Sequence, residues 1–172
     1  MHEAPGTSNP LSASSLSPSA QRVQAALATA GVPSIVTEYA IPARTSAEAA
    51  QVLGCSIGQI AKSLVFRTVS GNPVLVIASG ANRVDEARVA TLVGEAIAKA
   101  DAAFVRAVTG YAIGGIPPLA HAQRLTTLVD RGLSSYDVVY AAGGTPHAMF
   151  PITPAQLIRV SGGTIVDVAL LT

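Results

Sequence analysis

Apolar residues along this chain recur at helical spacing in some segments, and each of these segments has its own start and stop signals. Val23, Leu27 and Ala30 share one face of a predicted helix over Ser19–Ala30, which ends at Gly31. The run Thr45-Ser46-Ala47-Glu48 has the spacing of a capping box and predicts a helix that ends at Gly54. Similar signals predict three more short helices, over 85–93, from Asp101 to 108, and from Thr153-Pro154 to Gly162.

Runs of β-branched and aliphatic residues between these helices predict strands. Ile60–Val69 and Val74–Ser79 are joined by Ser70-Gly71-Asn72-Pro73, and a hairpin is the simplest interpretation. The other predicted strands cover 35–40, 96–98, 125–129, 138–142, 148–152 and 165–169. Because helices alternate irregularly with strands and many turns are short, the pattern favours an α+β fold with a mixed sheet over a doubly wound parallel one.

The length of 172 residues and an apolar content of 49% predict one domain with a sizeable core. Residues 1–17 are rich in serine and predict a weakly ordered tail, which leaves 18–172 as the domain. The net charge of +1 argues against a surface built for long duplex nucleic acid, yet it is compatible with a partner that touches one small region.

The sole cysteine, Cys55, cannot form an internal disulfide, and no signal pattern or membrane-length apolar run is present. We therefore expect a cytoplasmic protein with no membrane partner. The three histidines have no metal-site spacing, and no nucleotide-binding or serine-nucleophile motif occurs, so we expect no metal and no cofactor.

The segment Gly110–Pro118 holds three glycines and two prolines in nine residues. Glycine permits positive φ angles and close approach of a ligand to the backbone, whereas proline fixes φ. The segment is thus either a tight corner or the wall of a binding site.

Lys62 stands where a polar turn enters the apolar strand Ile60–Val69, on the same face as Leu64 and Phe66. A lysine there can hold a phosphate or a carbonyl group, or it can simply extend to water from a strand end. His147, in the turn-like segment Gly143–His147, is either a site residue or a surface loop histidine. The residues alone therefore fit an enzyme or a non-catalytic module that binds a small molecule, a nucleotide end or a protein.

Several of these motifs occur together in a recognisable order. They are Thr45-Ser46-Ala47-Glu48-Ala49-Ala50, Ile60-Ala61-Lys62-Ser63-Leu64-Val65, Thr109 to Pro118, Val129-Asp130, Ala142-Gly143-Gly144 and Thr153-Pro154-Ala155-Gln156-Leu157. Over about residues 20–170 the chain resembles the freestanding relatives of the editing domain inserted in bacterial prolyl-tRNA synthetase. That family includes the Cys-tRNA(Pro) and Ala-tRNA(Pro) deacylases.

The resemblance implies a compact α+β domain around a mixed, barrel-like sheet. It also implies a trans-acting aminoacyl-tRNA deacylase that hydrolyses the ester of a mischarged small amino acid, with tRNA(Pro) as the expected tRNA. The implied partners are the acceptor end of that tRNA and prolyl-tRNA synthetase. Water or a group of the substrate would be the nucleophile.

The resemblance assigns catalytic roles to Lys62 and Gly115, which should face each other across a cleft. The substrate-binding positions that it implies are Tyr39, Thr45, Ser63, Gly114, Ile116, Pro118, Gly143, Gly144 and His147. Ser63 and Gln156 depart from the residues usual in alanine-editing and cysteine-editing relatives. The amino acid removed and the oligomeric state therefore stay open.

Overall fold

Side-chain caps set the start of every α-helix between residues 15 and 171, the part of the chain that the computed structural model describes. In each case a Ser, Thr or Asp side chain accepts a hydrogen bond from a backbone N–H of the first turn, which would otherwise lack an intrahelical partner. Four of the five caps agree with the predicted starts, whereas the first helix is capped by Ser17 and begins at Pro18, one residue before the predicted start at Ser19. The five predicted helices are confirmed. They are α1 (Pro18–Thr29), α2 (Ser46–Leu53), α3 (Glu86–Val93), α4 (Ala102–Thr109) and α5 (Pro154–Ser161).

Eight strands form one mixed sheet in the order β1-β7-β6-β2-β3-β5-β8, with β4 paired to β2 outside this path. The strands are β1 (Thr37–Glu38), β2 (Ile60–Thr68), β3 (Pro73–Ser79), β4 (Ile97–Lys99), β5 (Thr126–Asp130), β6 (Val139–Ala142), β7 (Ala148–Ile152) and β8 (Thr164–Val166). β2 and β3 form the predicted antiparallel hairpin, while β2–β6, β3–β5 and β5–β8 are parallel pairs. The predicted α+β class with a mixed sheet is confirmed.

One edge of β2 is only partly covered. β3 pairs with β2 from Ala61 to Arg67, whereas the opposite edge pairs with β6 at Ile60 and Ala61 and with β4 from Phe66 to Thr68. On that second edge no strand among residues 15–171 pairs with residues 62–65. The sheet therefore has an opening beside β2.

The backbone register shows which groups face this opening. The carbonyl of Val65 accepts a hydrogen bond from the Ala100 N–H on the same side as β4, at 3.3 Å. Because alternate residues of a strand point their N–H and C=O groups to the same side, those of Ser63 also point to this side. Ser63 thus offers one donor and one acceptor to the opening.

Hydrophobic clusters cover both faces of the central strand β3. Leu75 and Ile77 belong to the larger cluster, which includes α1 side chains, while Val74 and Val76 belong to a smaller cluster with Phe66. Burial on both faces is typical of a central strand. Since Phe66 and Lys62 share a face of β2, Lys62 lies on the side of the smaller cluster.

Two sequence predictions need adjustment. The strand predicted over 35–40 is reduced to Thr37–Glu38, because β7 supplies partners to these two residues alone. The strand predicted over 165–169 is replaced by β8 at Thr164–Val166.

The predicted tail 1–17 falls for the most part outside the described residues, since residues 1–14 are not among them. Leu16 is buried in the larger cluster and Ser17 caps α1, so these two residues belong to the folded domain rather than to a tail. Within residues 15–171, no helix combines the length and the apolar character needed to cross a bilayer.

Candidate active site

The opening beside β2 is a cleft of about 340 Å³, which we call the β2 cleft. Four separate parts of the chain form its walls: the segment entering α2, strand β2, the Gly110–Pro118 loop and the β6–β7 turn. Its lining residues are Ala43, Arg44, Thr45, Ser46, Ala49, Ile60, Ala61, Lys62, Ser63, Leu64, Ile113, Gly114, Ile116, Ala142, Pro146, Ala148 and Met149. The predicted site residues Lys62, Ser63, Thr45, Gly114 and Ile116 are therefore brought together.

A hydrogen-bond chain fixes Lys62. Its Nζ donates to the Asn82 carbonyl at 2.9 Å, and the Asn82 side-chain amide donates to Asp130 Oδ2 at 2.9 Å. Asp130, only 2% exposed, also accepts from the backbone N–H groups of Ser79 and Gly132. Because an ammonium has three N–H donors and Asn82 takes one, two remain for a ligand in the cleft.

The electrostatics of Lys62 combine two opposing effects. Burial lowers the pKa of the Lys62 ammonium from its ordinary value, because a charged group is disfavoured away from water. The nearby charge of Asp130 acts in the opposite direction and supports the protonated form. The cleft thus contains a half-buried cation whose protonated form is supported by a buried carboxylate.

The Gly110–Pro118 loop contributes to the cleft wall through Gly114 and Ile116, but not through Gly115. Gly114 has a φ of +93°, which favours glycine, and it lies at the cleft surface. Gly115 is buried, and its N–H donates to the Ala112 carbonyl at 3.0 Å.

Tight packing explains the glycine at 115. A Cβ there would lie 2.6 Å from Thr145 Cα, so the loop backbone rests directly on the β6–β7 turn. The catalytic N–H expected of Gly115 is therefore engaged within the loop, and Gly115 lies behind the cleft wall.

The other predicted residues of this region also support the wall rather than line it. The Tyr39 N–H donates to the His147 carbonyl at 2.8 Å, and the His147 ring nitrogen Nδ1 lies 3.0 Å from the Tyr39 carbonyl. The Gly143 N–H is bonded to the Ala148 carbonyl, and a Cβ on Gly144 would lie 2.7 Å from the Ser19 carbonyl oxygen of α1. Pro118 is buried and is not among the residues that line the β2 cleft.

The start of α2 forms a polar end of the cleft. Thr45 Oγ1 accepts the Glu48 N–H at 3.1 Å, as the capping-box spacing predicts. The Glu48 carboxylate, however, accepts from the N–H of Arg44 at 2.8 Å rather than from that of Thr45. Ser46 follows the cap and is in close contact with Gly80, where a Cβ would lie 2.7 Å from Ser46 Cβ.

Sequence reasoning missed Asn82, Asp130, Ser46 and Met149 as parts of the site. Asp130 carried two usable signals, since it belongs to the Val129-Asp130 motif of the resemblance and directly follows the apolar pair Leu128-Val129, but it was not assigned to the site. Asn82 gave none, because it acts through its backbone carbonyl as well as its side chain.

Comparisons with known proteins agree with this geometry. Residues 41–160 match the family model of the aminoacyl-tRNA editing domain. The chain is 29% identical to the uncharacterized protein YwhH of Bacillus subtilis (strain 168) over 126 residues. This matched segment covers 73% of this chain and 80% of YwhH.

Solved structures give the same result. The crystal structure of a candidate trans-editing enzyme for prolyl-tRNA synthetase is 44% identical, with a TM-score of 0.86 over 91% of this chain and 100% of that one. The hypothetical protein APE2540 is 32% identical, with a TM-score of 0.81 over 87% of this chain and 99% of that one. The chain therefore belongs to the aminoacyl-tRNA editing domain family.

Proposed function

We propose that the protein is a trans-acting deacylase that hydrolyses the ester between a wrongly attached small amino acid and the 3′ end of a tRNA. The observation that carries this proposal is the position of Lys62. Its ammonium donates to the Asn82 carbonyl, Asp130 fixes Asn82 in turn, and Lys62 lines an open cleft together with Gly114 and Ile116. A lysine turned into bulk solvent, or a closed apolar cavity, would instead suit a non-catalytic module.

The reaction needs little from the protein beyond placement and charge stabilisation. Water attacks the ester carbonyl carbon, and negative charge develops on the carbonyl oxygen. The bond from that carbon to the ribose oxygen then breaks, and the ribose oxygen takes up a proton. The products are the free amino acid and the uncharged tRNA. Donors aimed at the developing oxyanion lower the barrier, and holding the ester in place adds to the effect.

The cleft supplies groups for each of these tasks. We assign the free donors of Lys62 to the sugar or phosphate of the terminal adenosine, which positions the ester. The Ser63 N–H, which the β2 register directs into the opening, is the backbone donor we assign to the carbonyl oxygen. Gly115 is replaced in this role because its N–H is already bonded to Ala112.

The apolar part of the cleft lining suits a small aliphatic or thiol side chain. Ala43, Ala49, Ala142 and Met149 supply that apolar surface. One methylene group more or less is worth only about 1–3 kcal/mol in such a pocket, or roughly 10- to 200-fold in kcat/KM. We therefore expect graded activity on alanyl, seryl and cysteinyl esters rather than activity on one alone. The likeness to a candidate trans-editing enzyme for prolyl-tRNA synthetase makes tRNA(Pro) the first tRNA to test.

The test is deacylation of a panel of tRNA(Pro) species charged with alanine, cysteine, serine or proline. We expect the wild type to release at least one of the three small noncognate residues and to spare proline. Lys62→Ala should reduce that rate by roughly 100-fold or more, the usual effect of removing a key electrostatic contact.

Arg124→Ala is the matched control, because Arg124 is an exposed cation remote from the β2 cleft. Its rate should equal that of the wild type, and thermal melting should show all three proteins folded. If the wild type hydrolyses no member of the panel, the proposed function is wrong. If Lys62→Ala retains full activity, the role of Lys62 is wrong.

A further inference from the structure

A second cleft, of about 380 Å³, adjoins the β2 cleft across the same stretch of strand. Both clefts are lined by Lys62, Ser63, Leu64, Ile113 and Ile116, so they form one continuous groove. We call the second one the Lys99 cleft. Its additional lining residues are Val65, Phe66, Arg83, Val84, Glu86, Lys99, Ala100 and Val105.

Two cations flank this second cleft. Arg83 directly follows Asn82, whose carbonyl accepts the hydrogen bond from Lys62. Because Lys62 lines both clefts, the backbone of Arg83 lies near the junction of the two. Lys99 ends β4 opposite Phe66 of β2. Both side chains are exposed, and within residues 15–171 the one ion pair is Arg131–Asp167. Neither Arg83 nor Lys99 therefore forms an ion pair with a described carboxylate.

Positive charge is concentrated along this groove although the chain as a whole has a net charge of only +1. Arg44, Lys62, Arg83 and Lys99 line it, and they are four of the 11 basic residues of the chain. Among the acidic residues between 15 and 171, Glu86 alone lines either cleft. A local excess of this kind attracts an anionic ligand.

The spacing of the cations distinguishes an extended ligand from a single small anion. Lys62 and the register position of Lys99 are four residues apart along β2, which is roughly 13 Å at 3.3 Å per residue. The exposed side chain of Ile113 lies between the two clefts and offers apolar surface there. A chain of nucleotides, with phosphates on one side and bases on the other, matches this arrangement.

We infer that the Lys99 cleft binds the phosphodiester backbone of the nucleotides that precede the terminal adenosine of the tRNA. This inference rests on the proposed function, which places the terminal ester in the β2 cleft. The single-stranded acceptor end then runs from Lys62 past Arg83 to Lys99.

Binding of an RNA oligonucleotide that ends in CCA and carries no amino acid tests this inference without relying on hydrolysis. Affinity is measured by fluorescence anisotropy over a series of salt concentrations. The variant Arg83→Ala/Lys99→Ala should bind at least tenfold more weakly than the wild type. The slope of log K against log salt should decrease by about 0.7 for each phosphate that the variant no longer neutralises.

The matched control is Arg106→Ala/Arg124→Ala, which removes the same charge from exposed positions outside both clefts. It should leave affinity and salt slope near those of the wild type. Glu86→Gln removes the acidic group of the cleft and should strengthen binding. If the two double variants show equal affinity and equal slope, or if the wild type does not bind the oligonucleotide, the inference is wrong.

Kinetics separate this inference from the proposed function. On aminoacyl-tRNA, Arg83→Ala/Lys99→Ala should raise KM and leave kcat unchanged. On an aminoacyl-adenosine, which lacks the preceding phosphates, the same variant should match the wild type. An equal loss on both substrates would overturn the inference while leaving hydrolysis established. Inactivity of the wild type on every substrate would refute the proposed function, and the oligonucleotide would still report on the cleft.

Discussion

At the scale of single residues, the position and the protonation of Lys62 are supported by the carboxylate of Asp130, which does not line the β2 cleft. Asp130 accepts three hydrogen bonds in the interior and fixes Asn82, whose carbonyl in turn holds the Lys62 ammonium. Such a buried charge is tolerated because three N–H groups donate hydrogen bonds to it. Asp130 is thus a positioning residue, and it acts on the reaction through the charge and the location of Lys62.

The pH dependence of the Asp130→Asn variant tests this role. Burial lowers the pKa of Lys62 from its ordinary 10.5, and the negative charge of Asp130 raises it. Without that charge the pKa of Lys62 should fall further, so the ammonium is lost at a lower pH. We expect the alkaline decline of kcat/KM, corrected for uncatalysed hydrolysis, to move to lower pH in Asp130→Asn.

The profile of kcat/KM reports groups of the free enzyme, which makes it the appropriate measurement. Lys62→Ala serves as the control and should lack this decline. The assay temperature is kept below the melting temperature of Asp130→Asn, because the substitution disturbs a buried hydrogen-bond network. An alkaline decline at the wild-type pH in Asp130→Asn would contradict the role of Asp130.

The resemblance to the editing domains indicated Lys62, Thr45 and Gly114, and all three line the β2 cleft. From residue type and position alone, Lys62 and the Gly110–Pro118 loop each kept a structural alternative beside the ligand-binding one. The place of Gly115 was not foreseeable, since only the folded loop shows that its N–H is bonded to Ala112 and that its missing side chain makes room for Thr145. A glycine needed for packing and a glycine needed for a ligand look the same in a sequence.

At the scale of elements, the sequence located helices well because their signals are local. A cap side chain bonds to a backbone group two or three residues away, so the nearby sequence contains both partners. Strands depend on partners that are distant in sequence. The alternation from Ile35 to Ala40 predicted a full strand, but Ile35 is 66% exposed and β7 pairs only with Thr37 and Glu38.

The Gly110–Ala120 loop is stabilised by hydrogen bonds from side chains within it and directly after it. The Tyr111 hydroxyl donates to the Ala120 carbonyl at 3.0 Å, and the His121 ring donates from Nε2 to the Pro117 carbonyl at 2.6 Å. Burial lowers the pKa of His121 below its ordinary 6.5, although the bond to Pro117 acts in the opposite direction. The neutral imidazole of His121 therefore stabilises the loop through this hydrogen bond.

For this reason, the contribution of His121 to the stability of the folded protein should decrease in mild acid. A histidine whose pKa is lower in the folded state than in the unfolded state contributes stability above the unfolded value. That contribution is lost as the pH falls from about 6.5 through the lower folded pKa. We expect the wild-type melting temperature to decline over this interval. His121→Asn should be less stable at neutral pH, but its melting temperature should change less over the same interval.

Melting curves from pH 7.5 to 5 for the two proteins give the comparison, and their difference removes contributions from other groups. Equal slopes in the wild type and in His121→Asn would show that His121 is not responsible for the acid sensitivity.

At the scale of the whole molecule, the cleft depends on packing that extends to the start of the described chain. Leu16 is buried in the larger hydrophobic cluster, and Ser17 both caps α1 and bonds through its N–H and hydroxyl to the Glu38 carboxylate, each at 2.7 Å. Two residues further along, the Ser19 carbonyl rests against Gly144 of the β6–β7 turn. The N-terminal end of α1 thus supports the turn that forms a wall of the β2 cleft.

This connection predicts that Leu16→Ala destabilises the whole fold. Removing a buried leucine side chain costs about 2–5 kcal/mol, because apolar surface loses its packing and a cavity remains. For a domain of this size, each kcal/mol corresponds to a decrease of roughly 2–4 °C in melting temperature. Leu171→Ala is the control, since Leu171 is 85% exposed and its truncation should change stability by no more than about 0.5 kcal/mol. Chemical denaturation of both variants measures the difference, and equal stability would show that residues before α1 do not belong to the cooperative core.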